Sequence, residues 1–120
     1  VKKIYLYVDD KRIPIDNTWI IIRDYYEFVS YINNNGLNNI EVISFDHDLG
    51  DVNNDVEKTG MDCAKFLINY LMDNNNKIPK IYVHSDNTVG SENIIKYINN
   101  WLKLNGLEEI CKQVVIEYRV

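Results

Sequence analysis

Three apolar runs in this chain stop abruptly in residues that carry chemistry. Ile4-Tyr5-Leu6-Tyr7-Val8 runs into Asp9-Asp10, Val42-Ile43-Ser44-Phe45 into Asp46-His47-Asp48, and Ile81-Tyr82-Val83 into His84-Ser85-Asp86-Asn87. Short runs rich in β-branched and aromatic residues predict buried strands, and Gly50 predicts the exit turn of the second one. The first is apolar nearly throughout, over residues 3–8, as expected of a central parallel strand covered on both faces. Trp19-Ile20-Ile21-Ile22-Arg23 predicts a further strand. Asp24 then suits a helix N-cap, Tyr25, Phe28, Val29 and Ile32 recur at helical spacing, and Gly36 closes that helix.

The rest of the pattern alternates in the same way. The strand over 41–45 leads into a polar loop over 46–59, in which Asp51, Asp55 and Glu57 add negative charge and Lys58 the one positive charge. Thr59-Gly60-Met61-Asp62 opens a second helix, with Cys63, Phe66, Leu67, Tyr70 and Leu71 spaced by three and four, and an Asn run ends it. After Pro79 and the next strand, Ser91-Glu92-Asn93 opens a third helix that buries Ile94, Ile95, Ile98, Trp101 and Leu102. Gly106 stops it, and Val114 to Tyr118 predict a fifth strand. The order predicts one α/β domain over residues 1–120, a three-layer, doubly wound, parallel five-stranded sheet with right-handed crossovers. Its first crossover is a loop, and no helix follows its last strand.

In open sheets of this kind ligands bind outside the carboxyl ends of the strands, so the three polar endings should share one crevice. The first, third and fourth strands are expected as neighbours in a flavodoxin-like order. Asp9, Asp10, Asp46 and Asp48 account for most of the net charge of −5. Carboxylates gathered so closely call for a cation, and hard oxygen ligands suit Mg²⁺ or Mn²⁺, with Zn²⁺ as the alternative. His47 and His84, the two histidines of the chain, would serve as general base and acid or complete the metal shell. Alternation along the strand turns His47 away from Asp46 and Asp48. Arg12, just past the Asp pair, suits bidentate binding of a phosphate. Lys58 and Thr59 resemble an anion-binding turn at a helix start.

The negative charge argues against a basic face for extended nucleic acid, leaving a small phosphorylated ligand as partner. Cys63 and Cys111 are far apart in apolar surroundings and read as reduced core residues. No run approaches the ~18 apolar residues of a membrane span and no leader is recognisable, so a cytoplasmic protein is expected. A bias to Asn, Ile, Lys and Tyr, with Ala64 the single alanine, fits an AT-rich genome such as a low-GC bacterium or one of its phages.

Over nearly its whole length the chain resembles the cyclic-phosphate processing branch of receiver-like domains. The resemblance rests on Val8-Asp9-Asp10-Lys11-Arg12-Ile13-Pro14, Ser44-Phe45-Asp46-His47-Asp48-Leu49-Gly50, Lys58-Thr59-Gly60-Met61-Asp62, and Tyr82-Val83-His84-Ser85-Asp86-Asn87 with Gly90 and Asn93. In ordinary receivers the acidic pair and the Asp after the third strand bind Mg²⁺, that Asp accepts a phosphoryl group, and a hydroxyl residue follows the fourth strand. Asp9, Asp10, Asp46 and Ser85 match those positions. The receiver lysine after the fifth strand is missing, as are the first and last helices.

The resemblance therefore implies a metal-dependent phosphoesterase acting on cyclic phosphates, either 2′,3′-cyclic RNA ends or cyclic nucleotides and dinucleotides. Asp46, His47 and His84 are the candidate catalytic groups. Asp9, Asp10, Asp46 and Asp48 are the metal ligands, and Arg12, Ser85, Asn87, Lys58 and Thr59 the substrate contacts. A module that binds a cyclic nucleotide without cutting it is the alternative. Phosphoacceptor signalling through Asp46 is disfavoured, because the cation that pairs with an acyl phosphate is lacking.

Overall fold

The computed structural model describes residues 2–50, 58–74 and 77–119. The part of the polar loop holding Asp51, Asp55 and Glu57 lies outside the described residues. Along the chain run β1 (Ile4–Val8), β2 (Ile13–Pro14), β3 (Trp19–Ile22), α1 (Tyr25–Asn35), β4 (Ile40–Phe45), α2 (Gly60–Asp73), β5 (Lys80–Val83), α3 (Thr88–Leu104), β6 (Lys112–Gln113) and β7 (Tyr118–Arg119). Five strands form one parallel sheet in the order β3-β1-β4-β5-β6, the order expected, with β1 and β4 at its centre.

Register does the positioning. Val8 lies beside Ile22 on one side and Phe45 on the other, and Phe45 lies beside Val83. The ladder continues one residue further, because the N–H groups of Asp9, Asp46 and His84 donate to the carbonyls of Ile22, Val8 and Phe45 at 2.9, 2.8 and 2.9 Å. Three neighbouring strands thus end level.

Alternation divides the sheet into two faces. Leu6, Val8, Ile22, Ile43, Phe45, Ile81 and Val83 pack with Phe28, Ile32, Cys63, Leu67, Ile94 and Ile98 in one core beneath the helices. α1 packs on α2 and α2 on α3, so the helices share that face. The reverse face carries Tyr5, Tyr7, Trp19, Val42, Ser44 and Tyr82. Its covering layer is chain rather than helix: the antiparallel ribbon of β2 and β7, with Asp16, Val114 and Ile116 bordering a groove over Tyr5 and Trp19. This is a receiver-like α/β fold with three helices among the described residues.

Local chemistry fixes the helix ends. The Asp24 carboxylate accepts the Glu27 N–H at 2.8 Å, and Thr59 caps α2 in a reciprocal box with Asp62. α3 begins at Thr88, before the expected Ser91, because the Asn87 side chain accepts the Gly90 N–H at 2.9 Å and is its cap.

The fifth strand is the main correction. It is not the apolar stretch Val114 to Tyr118 but Lys112–Gln113, while Tyr118–Arg119 pairs with Ile13–Pro14. Side-chain chemistry overrides β-propensity here. The Asn99 amide donates to the Cys111 carbonyl and accepts its N–H, both at 3.0 Å, tying the segment to α3 one residue before β6 and leaving Val115 exposed.

Cys63 and Cys111 are free and buried. Burial pushes both thiols up, Cys111 to about 12. Both should therefore resist a thiol-specific reagent in the native protein and react fully in denaturant; rapid native labelling of either would contradict this packing. Among the described residues no helix is long and apolar enough to cross a membrane.

Candidate functional site

Asp9, first residue past β1, is 1% exposed. One oxygen accepts the N–H groups of Lys11 and Arg12, each at 2.9 Å, and the other meets His84 Nε2 at 3.1 Å. Burial alone would raise its pKa, but the hydrogen bonds from His84, Arg12 and Lys11 outweigh burial and hold it at about 2. Asp10 beside it is pushed upward, by burial first and then by the charge of Asp9. Asp46 follows β4, and its Oδ1 accepts the His47 N–H at 2.8 Å.

One oxygen from each of Asp9, Asp10 and Asp46 lies within 4.8 Å of the others. A small divalent cation holds oxygens at about 2.1 Å, so ligands on opposite sides of it are about 4.2 Å apart. Hard donors, three carboxylates and this spacing fit such an ion. Gly60 makes the arrangement possible, since a Cβ there would stand 2.0 Å from the Asp46 carbonyl oxygen.

Asp48, expected as a fourth ligand, stands apart from the trio. His47 Nδ1 lies 2.9 Å from its Oδ1, and the Asn87 amide reaches its two oxygens at 3.3 and 3.2 Å. The bond from His47 lowers its pKa.

The histidines do not line the crevice. His84 is buried behind Asp9, its ring stacked on Tyr7 at 4.3 Å and its Nδ1 2.7 Å from the Ser44 hydroxyl. A carboxylate can only accept, so Nε2 carries the hydrogen toward Asp9 and Nδ1 faces the Ser44 hydroxyl. His84 thereby positions Asp9 and has no nitrogen left for a substrate. His47 lies beside the crevice with its ring against Gly90, where a Cβ would come within 2.4 Å. Its contacts Asp48 and Asn87 do line the crevice.

Arg12, Ser85 and Asn87 also line the crevice, a cavity of about 350 Å³. Ser85 Oγ accepts the Asn87 N–H at 3.1 Å, which leaves the hydroxyl hydrogen to donate. Lys58 and Thr59 are elsewhere. The Thr59 hydroxyl is consumed in capping α2, accepting the Met61 N–H at 3.1 Å, and the Lys58 ammonium sits 5.4 Å from the centre of the Tyr25 ring. A helix start needs a cap, and that need accounts for the motif at Thr59.

Four contributors had escaped the sequence reading. Arg23 donates to the carbonyls of Asp9 and Arg12 at 3.0 and 2.8 Å, clasping the loop after β1. Ser44 and Tyr7 hold His84, and the Tyr118 ring lies 4.5 Å from the Arg12 guanidinium carbon. Ser44 carried a signal, as the one polar residue inside its apolar run; the Tyr118 contact, made across the ribbon, carried none.

A family model described as "Cyclic-phosphate processing Receiver domain" matches residues 4–100, from β1 into α3. No curated protein and no solved structure matches the chain.

Proposed function

The chain belongs to the cyclic-phosphate processing receiver family, and from that premise we propose that it hydrolyses a cyclic phosphodiester with the help of a divalent cation. The reading is carried by one observation, the meeting of three carboxylates from two strand ends beside an arginine in a single crevice. Asp9, Asp10 and Asp46 would hold Mg²⁺ or Mn²⁺. A cation bound there supplies charge neutralisation and a more acidic bound water. Arg12 would bind phosphate oxygens through its fork, and the Ser85 hydroxyl would donate to another. Asn87, fixed at the start of α3, would orient the ester. His47, held through Nδ1 by Asp48, would move a proton at Nε2. Substrates would be 2′,3′-cyclic RNA ends or cyclic nucleotides and dinucleotides.

Purified protein given Mg²⁺, Mn²⁺ or Zn²⁺ in turn should linearise at least one of these substrate classes. If all remain intact with every metal, hydrolysis is excluded.

A second reading, binding without cleavage, is favoured by the two imidazoles, neither of which lines the crevice. Denaturing the protein after incubation separates the two: unchanged ligand supports binding alone, and a linear product excludes it.

A further inference from the structure

Arg12 is held differently on its face and on its edge. The face lies on Tyr118, which reaches it through the pairing of β7 with β2 and stands beyond the residues that the family model matches. At the edge, one amino group donates to the His84 carbonyl at a long 3.4 Å, and the other is paired with the Asp86 carboxylate. The two partners of that ion pair are unequal, since the Arg12 side chain is 21% exposed and that of Asp86 84%. Among the described residues the Asp86 carboxylate makes no other hydrogen bond.

Around this pair the crevice is crowded with negative charge. Asp9, Asp10, Asp46, Asp48 and Asp86 line it, against Lys11 and Arg12. A guanidinium edge already satisfied by a carboxylate is closed to a phosphate until that carboxylate leaves. Exposed ion pairs are weak and exchange readily with solvent. A phosphate offers the same edge a stronger, two-toothed partner.

We propose that Asp86 is a built-in competitor for the ligand's phosphate, occupying the edge of Arg12 in the free protein and yielding it on binding, while Tyr118 keeps the guanidinium over the crevice throughout. The proposal rests on the reading of Arg12 as the phosphate anchor. It assigns Asp86 a part in selectivity. A neutral ester cannot displace the carboxylate, and an anionic phosphate can, so the crevice rejects uncharged ligands of similar shape. Asp86 is a positioning residue and takes no part in bond making.

The probe is inorganic phosphate, titrated calorimetrically into the full chain with saturating Mg²⁺. Asp86→Asn should bind phosphate about three- to fivefold more tightly than the unsubstituted protein, the range expected from releasing an exposed pair. General relief of negative charge would also tighten binding, so a second measurement follows the Asp86 carboxyl carbon by NMR. At phosphate saturation its resonance should move to the position it holds in Arg12→Gln, where the pair is absent. Tyr118→Leu should weaken phosphate binding while leaving the apo fold intact. Phosphate that binds without moving the Asp86 resonance, or no more tightly to Asp86→Asn, overturns the competitor and spares the anchor. Failure of the unsubstituted protein to bind phosphate at all overturns both.

Discussion

Asp46→Asn is expected to weaken Mn²⁺ binding by more than about a hundredfold, since loss even of an outer partner to a metal ligand costs about 10–100-fold. The substitution keeps the fold. Asp46 joins the sheet through its backbone N–H, which donates to Val8, and the amide oxygen of an asparagine can still accept the His47 N–H. What disappears is one charge and one hard donor from a trio gathered within 4.8 Å. Asp10 already feels the repulsion inside that trio, since the Asp9 charge adds to burial in raising its pKa. The metal-free variant should therefore be as stable as the parent or slightly more so, while the stabilisation that excess Mn²⁺ confers, about 2.7 kcal/mol at a hundred times Kd, should vanish. Calorimetric titration and melting with and without Mn²⁺ read both effects. Equal Mn²⁺ affinity in the two proteins would remove Asp46 from the metal site. Asp9→Asn is a poorer test, because its amide group would either face the His84 N–H or give up the bonds from Lys11 and Arg12.

The strand ends were legible because each apolar run stops at a residue too polar to bury without a partner. Two carboxylates and a histidine at level positions, with Asp10 one residue on, follow from parallel pairing once that is seen. Alternation sets side-chain direction: Val8, Phe45 and Val83 face the helices, so Asp9, Asp46 and His84 turn to the other face, where Tyr7 and Ser44 already point. That parity gathers His84 with Tyr7, Ser44 and Asp9, a buried cluster rather than a crevice wall. The fifth strand was illegible from propensity. Val114 to Tyr118 looks like a strand, but Asn99, twelve residues before Cys111, decides where the chain meets the sheet. The ribbon that brings Tyr118 over Arg12 depends on that outcome, and no local pattern announces it.

His84→Ala should cost about 3 kcal/mol of stability at neutral pH, the range for truncating a large buried side chain that also carries two hydrogen bonds. The ring fills space against Tyr7, and its loss leaves the Ser44 hydroxyl and one side of Asp9 without a partner. The pH dependence is the sharper reading. Asp9 has a folded pKa of about 2 against an ordinary 3.8, because hydrogen bonds led by that of His84 override the effect of burial. A depressed carboxylate pKa gives stability that is fully present above the unfolded value and is lost as pH falls through the folded one; here the window runs from about pH 4 down to 2, and the amount is about 2 kcal/mol. Without His84 the burial of Asp9 remains and its main counterweight is gone, so the acid limb of the stability curve should move to higher pH. Urea unfolding between pH 7 and 2 measures both effects, and His84→Gln, which restores a donor, should recover part of each. A proton-transfer role for His84 would give the opposite pattern, in which turnover collapses while stability and the acid limb stay where they were.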